Sequence, residues 1–202
     1  MLSYIKTLKK HYKTEHPYKD PFKVLISCLI SQRTRDSVTY PAAERLFKRY
    51  SSPESMSKAN VKTIASLIKP AGFYRQKAKR IKKIAAYVSK YGVPDSVDEL
   101  LKLPGIGRKC ANIVLAYGFG KPAIAVDTHV NRISKRLGLV PWNSTPNQTE
   151  QALKKMIPKR YWNDVNTLFV KHGQEICKPI NPKCDYCPLR SVCSYANQKH
   201  KS

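Results

Sequence analysis

Apolar residues recur at helical spacing along nearly the whole chain, and that property excludes most folds before any motif is read. Phe22, Leu25, Ile26, Leu29 and Ile30 fall on one face, as a buried helical stripe requires. Residues 60–69 repeat the pattern with Val61, Ile64, Leu67 and Ile68, and Asn60 is a candidate N-cap. Ala78, Ile81, Ile84, Ala85 and Val88 form a third stripe. Most of the intervening Lys77, Lys79, Arg80, Lys82 and Lys83 are read as its solvated basic side, with Gly92 as C-cap and Pro94 as stop. Further helices are expected over 97–103, 111–117, 128–137, 149–157 and 162–174. The strand-like run 123–126 is too short and solitary to make a sheet. The expected fold is all-α, a helical body with a cysteine-rich tail.

Charge narrows the partners. Lys and Arg number 38 against 13 Asp and Glu, a formal net charge of +25. Such a surplus attracts polyanions, so a nucleic acid is the expected partner. A membrane surface is the weaker alternative, because no lipidation signal or long apolar helix accompanies the charge. The opening MLSYIKTLKKHYKTEHPYK lacks an apolar stretch suited to export. A cytoplasmic chain is therefore expected, where disulfides are disfavoured.

Three constellations carry chemistry. The first is Leu103-Pro104-Gly105-Ile106-Gly107-Arg108-Lys109. A short helix enters, two glycines turn the chain, and a second helix leaves with its first amides exposed, which suits a DNA phosphate. An ordinary helix–helix turn is the alternative. The second pairs Lys109 with Asp127. A lysine just inside a helix start should lose proton affinity to the dipole, favouring the neutral amine that a Schiff-base nucleophile needs. Asp127, after an apolar run and before a helix, reads equally as an N-cap, and the two roles are compatible. The third is Cys177, Cys184, Cys187 and Cys193, spaced C-x6-C-x2-C-x5-C. Zinc sites usually show two close pairs, whereas four staggered thiolates suit a [4Fe–4S] cubane; zinc and a redox disulfide are the alternatives. Lys178, Lys183 and Arg190 lie between these cysteines and could press on a phosphate backbone. Cys28 and Cys110 read as buried core residues.

The string LPGIGRKCANIVLAYGFGKPAIAVDTHVNR, followed by the cysteine spacing, resembles the endonuclease III family of helix–hairpin–helix DNA glycosylases. LISCLISQRTRD and AGFYRQKAKRI extend the likeness over nearly the whole chain. The resemblance implies two helical domains with the DNA cleft between them. One is a six-helix domain with the hairpin over 21–124; the other is discontinuous, 1–20 with 125–202, and carries the iron–sulfur cluster loop. It implies that Lys109 and Asp127 are catalytic and that the four cysteines ligate a [4Fe–4S] cluster. Gln32 matches a glutamine that fills the gap left by the extruded base. Phe73 stands where many relatives have a wedging leucine, and Arg35 where many carry an acidic residue. Gly105, Gly107, Arg108, His129, Lys183 and Arg190 complete the expected DNA-binding set, His129 being equally readable as a packing residue.

The implied activity is base excision on double-stranded DNA by a monomeric, nucleoid-associated enzyme. Damaged, oxidised pyrimidines are removed, and the strand is cut 3′ of abasic sites by β-elimination through a lysine Schiff base. A uracil or thymine mismatch glycosylase on the same scaffold is the alternative. A non-enzymatic DNA-binding module would have no use for the Lys109–Asp127 pairing. The cluster is expected to be structural or DNA-sensing, since base excision consumes no electron.

Overall fold

The computed structural model describes residues 2–199, and every regular element among them is helical. The chain divides into two compact units, a continuous Tyr18–Lys121 and a discontinuous Met1–Pro17 with Pro122–Ser202. The opening helix α1 (Leu2–His11) belongs to the second.

The continuous unit is organised around α2 (Pro21–Ser31). The Asp20 carboxylate accepts from the Lys23 amide at 2.8 Å, and Pro21 occupies the first turn, where its missing N–H costs nothing. Every residue from Val24 to Ile30 is buried, so this helix is enclosed on all sides rather than on one stripe. Each Leu or Ile so enclosed stabilises the unit by about 1.5–3 kcal/mol. Around it run α3 (Asp36–Arg49), α4 (Pro53–Lys58), α5 (Val61–Ile68) and α6 (Tyr74–Tyr91). Asn60 does cap α5, accepting from Lys62 N at 2.8 Å. Gly92 ends α6 at φ 76°, the left-handed geometry that a C-capping glycine supplies.

The basic side of α6 is solvated with one exception. Lys77 is not on the solvated side but is 3% exposed. Its spacing from Ile81, Ile84 and Val88 puts it on the apolar stripe itself, and the fold buries that stripe whole.

The helix α7 (Val97–Leu100) stops short of residue 103, because the chain is already turning: Leu103 N donates to Leu100 O and Ile106 N to Leu103 O. After the turn come α8 (Arg108–Ile113) and a π-helical turn, Val114–Gly118.

The discontinuous unit comprises α1, α9 (Thr128–Arg136), α10 (Pro146–Met156), α11 (Trp162–Glu175) and α12 (Ser194–Lys199). Its core joins Ile5 and Leu8 of α1 to Val130 and Ile133 of α9 and to Leu168 and Phe169 of α11. Residues 123–126 are buried and belong to no regular element. Asn163 and Asn166 of α11 satisfy that backbone instead, at Ala123 N and Ala125 O, both 3.0 Å. No helix among the described residues is long and apolar enough to cross a membrane.

Candidate functional site

In the continuous unit, the glycine turn between α7 and α8 is the first element to be built. Gly105 sits at φ 81°, and a Cβ there would lie 2.8 Å from the Arg80 side chain. The positive φ favours glycine, whereas the Arg80 side chain could swing aside. At Gly107 a Cβ would meet nothing within 4 Å. The fold itself therefore leaves the space beside Gly107 open. Arg108 follows as the first residue of α8, half-buried, and Lys109 as the second, exposed. Lys109 acts electrostatically on the buried thiols of Cys28 and Cys110. Those two thiols hydrogen-bond each other; the bond lowers Cys28 and raises Cys110 in proton affinity. They are core residues, as expected.

Two further turns of the same unit carry Gln32 and Phe73. Gln32 is half-buried, and its Nε2 donates to Gly105 O at 2.7 Å, which ties it to the glycine turn. Phe73 is 59% exposed and is held at φ 56°, a left-handed conformation that is costly for a bulky residue. Arg33, next to Gln32, is also left-handed at φ 51° and exposed, with its guanidinium 5.4 Å from the Phe73 ring centroid. Arg35 is exposed and precedes α3.

In the discontinuous unit, Asp127 caps α9: its Oδ1 accepts from Val130 N at 2.9 Å. The cap holds the half-buried carboxylate in one orientation. His129 packs tightly, since a Cβ on Gly173 would come within 2.5 Å of its Nδ1, and that nitrogen lies 3.1 Å from Arg132 Nη2.

The far end of α9 grips the cysteine segment. Arg132 donates to Cys177 O at 2.9 Å through Nη2. Arg136, 6% exposed, donates to Lys178 O at 2.6 Å, to Pro179 O at 2.9 Å and to the Cys177 sulfur at 3.3 Å. Cys193 Sγ in turn donates to Arg136 O at 3.4 Å. All four cysteine side chains pack on the core of this unit. Cys177, Cys184 and Cys193 act electrostatically on Cys187, whose thiol burial pushes up to about 11. Buried thiols of this kind ionise only with a cation beside them. Among the described residues no three Cys, His, Asp or Glu groups converge as the donors of a single metal ion would. Lys183 is exposed, whereas Arg190 is half-buried and pairs with Asp185 at 2.8 Å.

Sequence reasoning overlooked Arg33, Arg132 and Arg136 and misplaced Lys77. The two α9 arginines are spaced i, i+4 on one helix face, and Lys77 interrupts an apolar stripe; both patterns were visible. Nothing in the sequence marked Arg33.

The chain is similar to known proteins over most of its length. The family model for HhH-GPD superfamily base excision DNA repair proteins matches residues 26–159. The endonuclease III of Thermotoga maritima is 51% identical over 195 residues, covering 95% of this chain and 91% of that protein. A trapped endonuclease III–DNA covalent intermediate superposes with a TM-score of 0.88 at 34% identity, covering 98% of this chain and 97% of the other. A thermostable thymine-DNA glycosylase gives a TM-score of 0.88 at 26% identity, with 98% and 96% covered. By sequence and fold, the chain belongs to the HhH-GPD superfamily of base excision DNA repair proteins and, within it, to the endonuclease III family.

Proposed function

We propose that this protein removes oxidised pyrimidines from duplex DNA and cuts the strand 3′ of the abasic site, with Lys109 as nucleophile and Asp127 as the assisting carboxylate. The observation that carries the reading is an exposed lysine on the second residue of α8, directly behind the glycine turn, in a chain 51% identical to an endonuclease III. A relative at 34% identity has been captured as a covalent intermediate with DNA. The thymine-DNA glycosylase is less similar, at 26%, so the mismatch reading is not favoured.

The reaction requires the base to leave the stack. The neutral Lys109 amine attacks the anomeric carbon, the glycosidic bond breaks, and the base departs with a proton. Asp127 accepts the proton that the lysine loses, passes it to the departing base and stabilises positive charge on the sugar. The C1′–O4′ bond then opens, O4′ taking up a solvent proton, and the lysine nitrogen lone pair forms the protonated imine, which acidifies the neighbouring C2′ position. Loss of that proton expels the 3′ phosphate, and water then frees the lysine. Gly105, Gly107 and Arg108 would meet backbone phosphates, Phe73 the disturbed stack, and His129 the strand near Asp127, while Gln32 braces the glycine turn through Gly105 O.

Cys177, Cys184, Cys187 and Cys193 would hold a [4Fe–4S] cluster. The Arg136 bond to the Cys177 sulfur fits a thiolate better than a thiol, and a cubane takes thiolates spread around a body larger than one ion. When bound, it would supply a rigid cross-link for the loop that presents Lys183.

A panel of lesion duplexes, each run with and without borohydride, tests the reading; failure to cleave either an oxidised-pyrimidine or an abasic duplex would refute it. On that panel Asp127→Asn should slow base removal roughly 100-fold. Because Asn caps a helix as well as Asp, its melting temperature should stay near wild type, whereas Asp127→Ala should also lose about 1 kcal/mol of stability. A normal rate in the Asn variant would reduce Asp127 to a cap.

Phosphate contacts release counterions, so affinity should fall steeply with salt. Lys183→Ala should make the log–log slope shallower by about 1. Arg190→Ala should change it less, since Asp185 already offsets that charge. Equal slopes in wild type and Lys183→Ala would remove the loop from the DNA interface.

A further inference from the structure

We propose that Lys77 is a positioning residue for base extrusion: its buried ammonium fastens the turn carrying Arg33 to the turn carrying Phe73, so that these two exposed side chains meet DNA as one pre-assembled wedge. The inference rests on the reading of the protein as a base-flipping glycosylase.

A lysine on an apolar stripe needs a reason. Burial pulls the Lys77 ammonium down to about 8, so its charge is disfavoured there unless acceptors surround it. They do. Its Nζ donates to Ile30 O at 2.6 Å, to Gln32 O at 2.6 Å and to Thr34 Oγ1 at 2.9 Å. An ammonium has three donors, and all three are used. Ile30 and Gln32 are at the C-terminal end of α2, where carbonyls lack helical partners and a cation is favoured by the dipole. Lys77 itself stands one turn inside α6, its amide donating to Phe73 O at 3.0 Å. One side chain thus joins the exit of α2 to the entrance of α6.

Two other contacts close the same seam. Thr34 Oγ1, held by Lys77, also accepts from Gly72 N at 3.1 Å. A Cβ on Gly72 would lie 2.9 Å from Arg33 O, so the two turns approach as closely as backbones can. At the tip of this seam stand the only two non-glycine residues of these turns with positive φ, Arg33 and Phe73. Their side chains stack on each other and face solvent. Strained backbone persists only where the surroundings fix it, and the Lys77 clamp supplies that fixation. Gln32, by contrast, is turned inward to Gly105 O. The structure therefore assigns the exposed position to Arg33 with Phe73.

Extruding a paired base costs unstacking energy; an unpaired base or an abasic site demands little or none. That difference separates a positioning role from a merely structural one. Single-turnover rates at saturating enzyme are measured for wild type, Lys77→Met and Thr34→Val. Three duplexes are used: one with a paired thymine glycol, one with the same lesion in an unpaired bubble, and one with an abasic site. Fluorescence of 2-aminopurine placed beside the paired lesion follows extrusion directly. Lys77→Met should slow removal of the paired lesion about 10- to 100-fold and reduce the fluorescence amplitude, while the bubble and abasic duplexes react at near wild-type rates. Thr34→Val keeps the lysine and should show the same selectivity in smaller measure, which preserves the test if the methionine variant does not fold. Equal slowing on all three duplexes in a folded variant, or an unchanged rate on the paired lesion, overturns the proposal. Wild type inactive on every duplex would instead overturn the functional reading beneath it.

Discussion

Lys109→Gln is expected to abolish strand cleavage and borohydride trapping and to leave duplex binding close to wild type. The change is confined to the amine. Glutamine has nearly the helix propensity of lysine, and the residue is exposed on α8, so neither the helix nor the core should suffer. Only a primary amine forms an imine, and only an imine is reduced by borohydride to a stable protein–DNA bond. A loss of at least about 10⁴-fold in cleavage is expected, because removing a nucleophile leaves only what binding and electrostatics contribute. Gel-shift binding beside a trapping assay reads both quantities. A variant that still traps would place the nucleophile on another amine, and the reading of the glycine turn as its platform would fall with it.

The second large effect concerns iron. The purified protein should be brown, absorb broadly near about 400 nm and contain about four irons per chain. Cys187→Ser should lose most of that iron and lower the melting temperature on the order of 10 °C, since a bound cluster contributes folding free energy directly. The structure says where the loss is felt. Cys193 and Leu189 belong to the core of the discontinuous unit, together with Phe169 and Val130, so a loosened loop opens that core. A colourless protein with zinc in place of iron would exclude the cluster.

Much of the helical fold was legible in the sequence because helical period and capping residues are local signals. Asn60, Gly92 and Asp127 cap or close helices where their residue types suggested. What escaped depends on tertiary partners. The apolar stripe of α2 gave no sign that the helix would be enclosed on every side, which is decided by the helices packed around it. Lys77 was misread because a charged residue on an amphipathic helix normally faces water; its acceptors come from a turn more than forty residues earlier in the chain. Gln32 and Arg33 are adjacent, and only the backbone conformation decides which turns inward. The π-helical turn after α8 likewise has no local sequence mark.

The discontinuous unit carries a cost in time. Ile5 and Leu8 of α1 must wait for Leu168 and Phe169 of α11, and Lys9 for Asp164, 155 residues later. At ribosomal speeds of roughly 5–20 residues per second, that delay is on the order of ten seconds. The continuous unit has no such debt to later sequence and can complete its own core while the rest is still being translated. During that interval the apolar face of α1 is without its partners, and the four lysines of Leu2–Lys13 keep that nascent segment strongly charged and thereby discourage it from associating with other chains.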